Sequence, residues 1–196
     1  MGRKRIVKGQ YGYIKQQKIW ASVRTIFLYA VSLSIFGIGI WETGSKENLL
    51  TVIAILGCLP AGRSTVNMVM FLRAEGCSGE AKEKIGGYAG GFMELYDMFF
   101  TSYEKNYQVS HMVVKDHIVC GYSENKKMDI QACEKHLAAH LKQGGCKGAV
   151  VKIYDDIEKY CEGLKNLRTQ ERQGSAEGEA KKAEMEILEN LLAIAL

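Results

Sequence analysis

Residues 25–41, "TIFLYAVSLSIFGIGIW", run for 17 positions without a charge, directly after 24 residues that hold seven Lys and Arg and no acid. The run lies at the short end of what a helix needs to cross a hydrocarbon core of about 30 Å. Trp20 and Trp41 bracket it 21 positions apart. That spacing is roughly 31 Å of helix, and amphipathic rings at both ends suit the interfacial belts of a bilayer. The whole chain is +4, so the excess positive charge is concentrated before the first apolar run, where it would fix the orientation of a membrane helix. A cleaved signal sequence fits less well, because the apolar stretch is too long and "WETGSKEN" lacks a small-x-small cleavage site.

A second apolar run, 49–72, follows a polar loop of seven residues, 42–48. Two spans joined this closely must form an antiparallel hairpin, with helices at 25–41 and 49–66 and the second continuing to 72. The loop carries one Lys against two Glu while the outer ends are basic. The expectation is therefore a two-pass protein of the cell membrane with both termini cytoplasmic. Pro60, the single proline, removes one backbone bond and predicts a kink near the exit of the second span. Counted from a loop centre at Ser45, Arg24 lies 21 residues back and Arg63 18 forward. Arg63 is then about one turn deeper than Arg24 on the same side, and both can snorkel to the headgroups. Trp20, Arg24, Trp41 and Arg63 are thus the expected membrane-interface residues. The sharper alternative makes Arg63 an intramembrane functional charge that lines a pore or holds an anionic lipid. Small residues at four-residue spacing, Ala30 with Ser34 and Gly57 with Ala61, would let helices approach closely within the hairpin or between copies.

The chain divides by composition into a basic interfacial segment (1–24), the hairpin (25–72), a glycine-rich connector (73–91), an α/β domain (92–167) and a polar linker with an amphipathic helix (168–196). In the connector, "GGYAGG" lacks the lysine and Ser/Thr of a phosphate loop and reads as a linker or tight turn. Within the domain, "FMELYDMFFTSY" fits a helical stripe and a strand alike, with its aromatic and Thr content favouring the strand. Two β-rich runs around Lys115 and Asp116 form a hairpin. "MDIQACEKHLAAHLKQGG" is an amphipathic helix with Asp129 as its N-cap or a first-turn acid and a Gly-Gly stop. "GAVVKIYDD" reads as a buried strand and "DDIEKYCEGLKNL" as a helix started by acids. The fold class is a membrane α-helical hairpin plus a small cytoplasmic α/β domain, a mixed sheet of three to four strands flanked by helices. The last helix sets Met185, Leu188, Leu192 and Ala195 at helical spacing, with Ile187, Leu191 and Ile194 beside them. It would dock on the domain, on another copy or on the membrane surface.

Six cysteines without a C-x-x-C pair read as free thiols in a cytoplasmic domain. Cys133, His136 and His140 fall within about 60° on one helix face. With Cys146 after the turn they could complete a zinc site, although the same residues also suit boundary packing beside Leu137 and Leu141. His111 and His117 read as sheet residues, and Glu94 and Asp97 are acids without an assignable partner. The order of elements resembles that of restriction-endonuclease-like domains, and Asp116 with Glu124-Asn125-Lys126 resembles their D…E-x-K pattern. That chemistry needs both acids at one level of adjacent strands, whereas the strand between them sets them over about 20 Å apart.

These features favour a non-enzymatic, membrane-tethered interaction or regulatory module, in contact with anionic lipid headgroups and open to homo-oligomer formation or a membrane-protein partner. Nucleic acid is not an expected partner. A transport or channel subunit built on the hairpin, and a membrane-anchored metal-dependent hydrolase, are the alternatives.

Overall fold

The computed structural model describes residues 6–102, 105–146, 148–169 and 177–196. The chain folds as two compact units, Ile14–Ala74 and the combination of Met1–Tyr13 with Glu75–Leu196.

The first unit is a helical hairpin. Helix α1 spans Tyr13–Thr43 and α2 spans Leu49–Arg73. Both are long and apolar enough to cross a membrane. Helix α1 begins twelve residues before the expected start at 25, because no breaker intervenes after Gly12, whose φ of 86° ends the preceding turn. The second half of the basic segment, residues 13–24, is therefore helix. Asn48 caps α2 by accepting the N–H of Thr51 at 2.9 Å. Pro60 lies inside α2, which runs on through it to Arg73.

The two helices meet along a seam that repeats every seven residues. The Oγ atoms of Thr25 and Ser64 are 2.8 Å apart. A Cβ on Gly57 would stand 2.8 Å from Ser32 Oγ, and one on Gly39 would stand 2.9 Å from Leu50 Cβ. Positions 25, 32 and 39 thus oppose 64, 57 and 50, the periodicity of a left-handed antiparallel pair with small residues at the contact. Of the small pairs read from the sequence, Gly57 and Ala61 belong to this seam, whereas Ala30 and Ser34 face outward.

The second unit is a sheet covered on both faces. Helix α3 (Gly79–Ala89) precedes β1 (Met93–Thr101), β2 (Asn106–Lys115) and β3 (Ile118–Tyr122); α4 (Ile130–Gln143) leads to β4 (Val150–Tyr154), then α5 (Ile157–Thr169) and α6 (Glu177–Ile194). Strand order is β1-β2-β3-β4, with the first two pairings antiparallel and β4 parallel to β3, as the crossover through α4 requires. Leu137 and Leu141 of α4 join Ile187 and Leu191 of α6 over one face. Ile85 of α3 and Leu164 of α5 help cover the other.

Four expectations are corrected here. The connector 73–91, read as a hinge or a poorly packed helix, is not a hinge throughout: it contains α3, which Ser78 caps and to which the buried residues Ala81, Ile85 and Ala89 give an apolar stripe despite Gly86 and Gly87. The β2–β3 turn falls on Asp116 and His117, one position later than read, since Lys115 pairs with Ile118. Asp116 takes a φ of 53°, which a short acceptor side chain tolerates. Strand β4 is not buried but an edge, with Val150 59% exposed. Helix α6 docks on the body through Ala180, Glu184, Ile187, Leu191 and Ala195, while Met185 remains 53% exposed. The packed face is thus rotated from the one built on Met185.

Both sheet edges have backbone groups occupied by contacts from outside the sheet. Gly9 accepts the Tyr96 N–H at 2.8 Å, and Phe99 accepts the Leu196 N–H at 2.8 Å along β1. On β4 the Glu134 carboxylate accepts the Ile153 N–H at 2.7 Å. Such devices keep an edge from templating aggregation.

Candidate functional site

Strands β1 and β2 change phase together in mid-course. Met93 and Leu95, then Met98 and Phe100, all pack into the α4/α6 core, as do Val109 and then Met112 and Val114. The break in alternation falls at Asp97, whose φ of 56° is outside ordinary strand geometry for an L residue. Asp97 is buried, and its carboxylate accepts the Gly12 N–H at 2.8 Å and the Cys77 N–H at 2.7 Å. Gly12 stands one residue before α1, and Cys77 four residues after α2 ends. One side chain therefore joins two segments of the body that are far apart in sequence. Gln108 adds a two-way bond to the backbone of Glu75, and Glu124 accepts the Ser78 N–H at 2.9 Å. The strained conformation of Asp97 is stabilised by these bonds, as strain at such positions must be.

Next to this clasp lies a buried polar cluster. The His111 ring has no solvent exposure; its Nδ1 is 2.7 Å from the Tyr160 hydroxyl and its Nε2 3.4 Å from Glu94 Oε2. Tyr96 donates its hydroxyl to the same Glu94 oxygen at 2.8 Å, and its ring lies 4.4 Å from that of His111. Burial pulls His111 down to about 4, against the opposing pull of Glu94. Burial also raises the hydroxyls of Tyr96, with Glu94 adding to it, and of Tyr160. The members of the cluster hydrogen-bond one another. Sequence reading missed it because Glu94, His111 and Tyr160 come from three elements.

The four residues considered for zinc are not gathered into a site. Cys133 points into the core with Leu137 and Leu141, at fourfold spacing along α4. The His136 and His140 rings contact each other with centroids 4.6 Å apart. Cys146 is buried and accepts a bond from Asn190 Nδ2 at 3.4 Å. Among the described residues no three His, Cys, Asp or Glu side chains stand close enough to hold a metal ion. Burial pushes the Cys133 thiol up to about 12.

The D…E-x-K residues are likewise apart. Asp116 is in the β2–β3 turn and gives its N–H to Glu184, whereas Glu124 follows the far end of β3 and caps Ser78. Strand β2 carries no acid.

In the hairpin, Trp20 and Trp41 are 64% and 90% exposed, and Arg24 and Arg63 are exposed as well. Arg24 donates Nε to Ser64 Oγ at 3.2 Å. In the seam register Arg24 is level with residue 65 and Arg63 with residue 26. The two arginines therefore differ in depth by about 3 Å rather than a full turn.

Comparison of the chain with protein-family models, with curated proteins and with solved structures gave no match.

Proposed function

We propose that the chain is a membrane-anchored module: the hairpin spans the bilayer, and the α/β body works on the cytoplasmic side by binding rather than by catalysis. The observation that carries this reading is the surface of the hairpin. Ile26, Phe27, Leu33, Ile55, Leu56 and Leu59 are all exposed, on both helices, whereas Thr25, Ser32 and Ser64 are buried in the seam. A hairpin folded in water would present the reverse arrangement; apolar outside and small or polar at the contact is the arrangement of helices in lipid. From Thr43 back to Arg24 is about 29 Å of helix, which suits the hydrocarbon thickness. The cations of residues 1–24 and the acids of the loop support cytoplasmic termini.

A binding role for the body is supported by how its carboxylates are used. Asp97, Glu124, Glu134 and Glu184 each accept backbone N–H groups of the chain itself. These bonds commit all four carboxylates to holding the fold.

The test is fractionation of the full chain. It should stay with membranes through an alkaline carbonate wash and float with phosphatidylcholine liposomes. Release into the carbonate supernatant would overturn the proposal.

A further inference from the structure

Arg24 and Arg63 belong to different helices, yet the seam puts them on one face. Thr25 and Ser64 point at each other across the contact. Each arginine precedes its seam neighbour by one position, or about 100° of rotation. Because the helices are antiparallel, the two rotations carry the arginines to the same side of the hairpin. The same periodicity sets Gln17 and Trp20 of α1 and Asn67 of α2 on that side, and puts Lys15 on the opposite one. The bond between Thr65 and Tyr29, 3.2 Å long, lies on the Lys15 side, consistent with this assignment.

The two guanidiniums have no acid near their own level of the hairpin. Residues 14–41 and 49–74 contain no Asp or Glu. Among the described residues neither arginine forms an ion pair. Arg24 spends Nε on Ser64, which orients its planar fork. Exposed apolar residues continue on both sides of this level, with Val23 and Val66 next to the pair. Charge placed where the dielectric falls requires a partner, and a guanidinium matches the geometry of a phosphate oxygen pair better than any other side chain does.

We infer that Arg24 and Arg63 form a two-pronged site for the headgroup phosphate of one anionic lipid, on a single face of the hairpin, with Trp20 and Asn67 beside the headgroup. The inference rests on the hairpin being a membrane anchor.

The experiment reconstitutes the full chain in nanodiscs of phosphatidylcholine containing about one-fifth phosphatidylglycerol, extracts it into mild detergent, and counts retained lipid by native mass spectrometry. The wild-type chain should keep phosphatidylglycerol in preference to phosphatidylcholine. The Arg24→Gln/Arg63→Gln double variant should lose about tenfold of that preference, the scale of one or two charge-assisted contacts. Lys15→Gln should leave it unchanged. Liposome flotation and helix content are measured on every variant. Equal retention by the wild type and a double variant that floats and stays helical overturns the site while leaving the anchor standing. An equal loss from Lys15→Gln, or displacement of the lipid by inorganic phosphate, overturns it too. A wild-type chain that does not float overturns both readings.

Discussion

The carboxylate of Asp97 accepts the backbone N–H of Gly12 at 2.8 Å across 85 positions of sequence, and with its other oxygen it holds Cys77. Removing it leaves two N–H groups without their acceptor and keeps a positive φ that alanine tolerates poorly. Asp97→Ala should cost about 2–4 kcal/mol. Asp97→Asn, which keeps an acceptor and accepts left-handed backbone, should cost less. Urea unfolding of the full chain in detergent, followed by tyrosine circular dichroism, reads the difference. Equal stability of the two variants contradicts the clasp.

Stability of the body should fall in mild acid because of His111. Its folded value, about 4, lies below the ordinary 6.5, so the unfolded chain takes up the proton first. The contribution is fully present above pH 6.5 and is lost as pH falls towards 4, by about 3 kcal/mol over the window. Melting curves of the wild type and His111→Gln should converge as pH drops through that range. Parallel curves would mean that the ring is not held neutral.

Helix α6 is packed through Ile187 and Leu191, not through Met185. Leu191→Ala should destabilise by about 2–5 kcal/mol, whereas Met185→Ala should stay within about 0.5 kcal/mol of wild type. The same chemical denaturation measures both, and a larger effect at Met185 would restore the face first read from the sequence.

The hairpin seam is tested by cross-linking. Cysteines replacing Thr25 and Ser64, whose Oγ atoms are 2.8 Å apart, should oxidise to an intramolecular disulfide in membranes. Adding Gly57→Leu should suppress it, since a Cβ at 57 would already meet Ser32 Oγ at 2.8 Å. Bands that run only as cross-linked dimers would place the contact between copies instead.

The parts of the fold that follow one period were legible: two long apolar helices, the β2–β3 hairpin, and α4 with its Asp129 cap. The ambiguity of "FMELYDMFFTSY" now has a physical cause. Apolar positions 93, 95, 98 and 100 keep strand alternation on either side of Asp97 but jump by three across it, so a helical spacing shows through. Helix α3 hid behind its glycines, since only Ala81, Ile85 and Ala89 announce a buried stripe. The Glu94–His111–Tyr160 cluster could not be read at all, because hydrogen bonds between three elements leave no local pattern. Arg24 and Arg63 could be counted to the same side of the membrane, but their depth difference and common face needed the Thr25–Ser64 register.

The most direct measurement of the membrane hairpin uses a membrane-impermeant maleimide on intact cells that express single-cysteine reporters, with wild type as background. Ser45→Cys in the loop should label from outside without lysis, and Lys181→Cys on α6 only after permeabilisation. Labelling of Lys181→Cys in intact cells, or of Ser45→Cys only after lysis, would contradict the account.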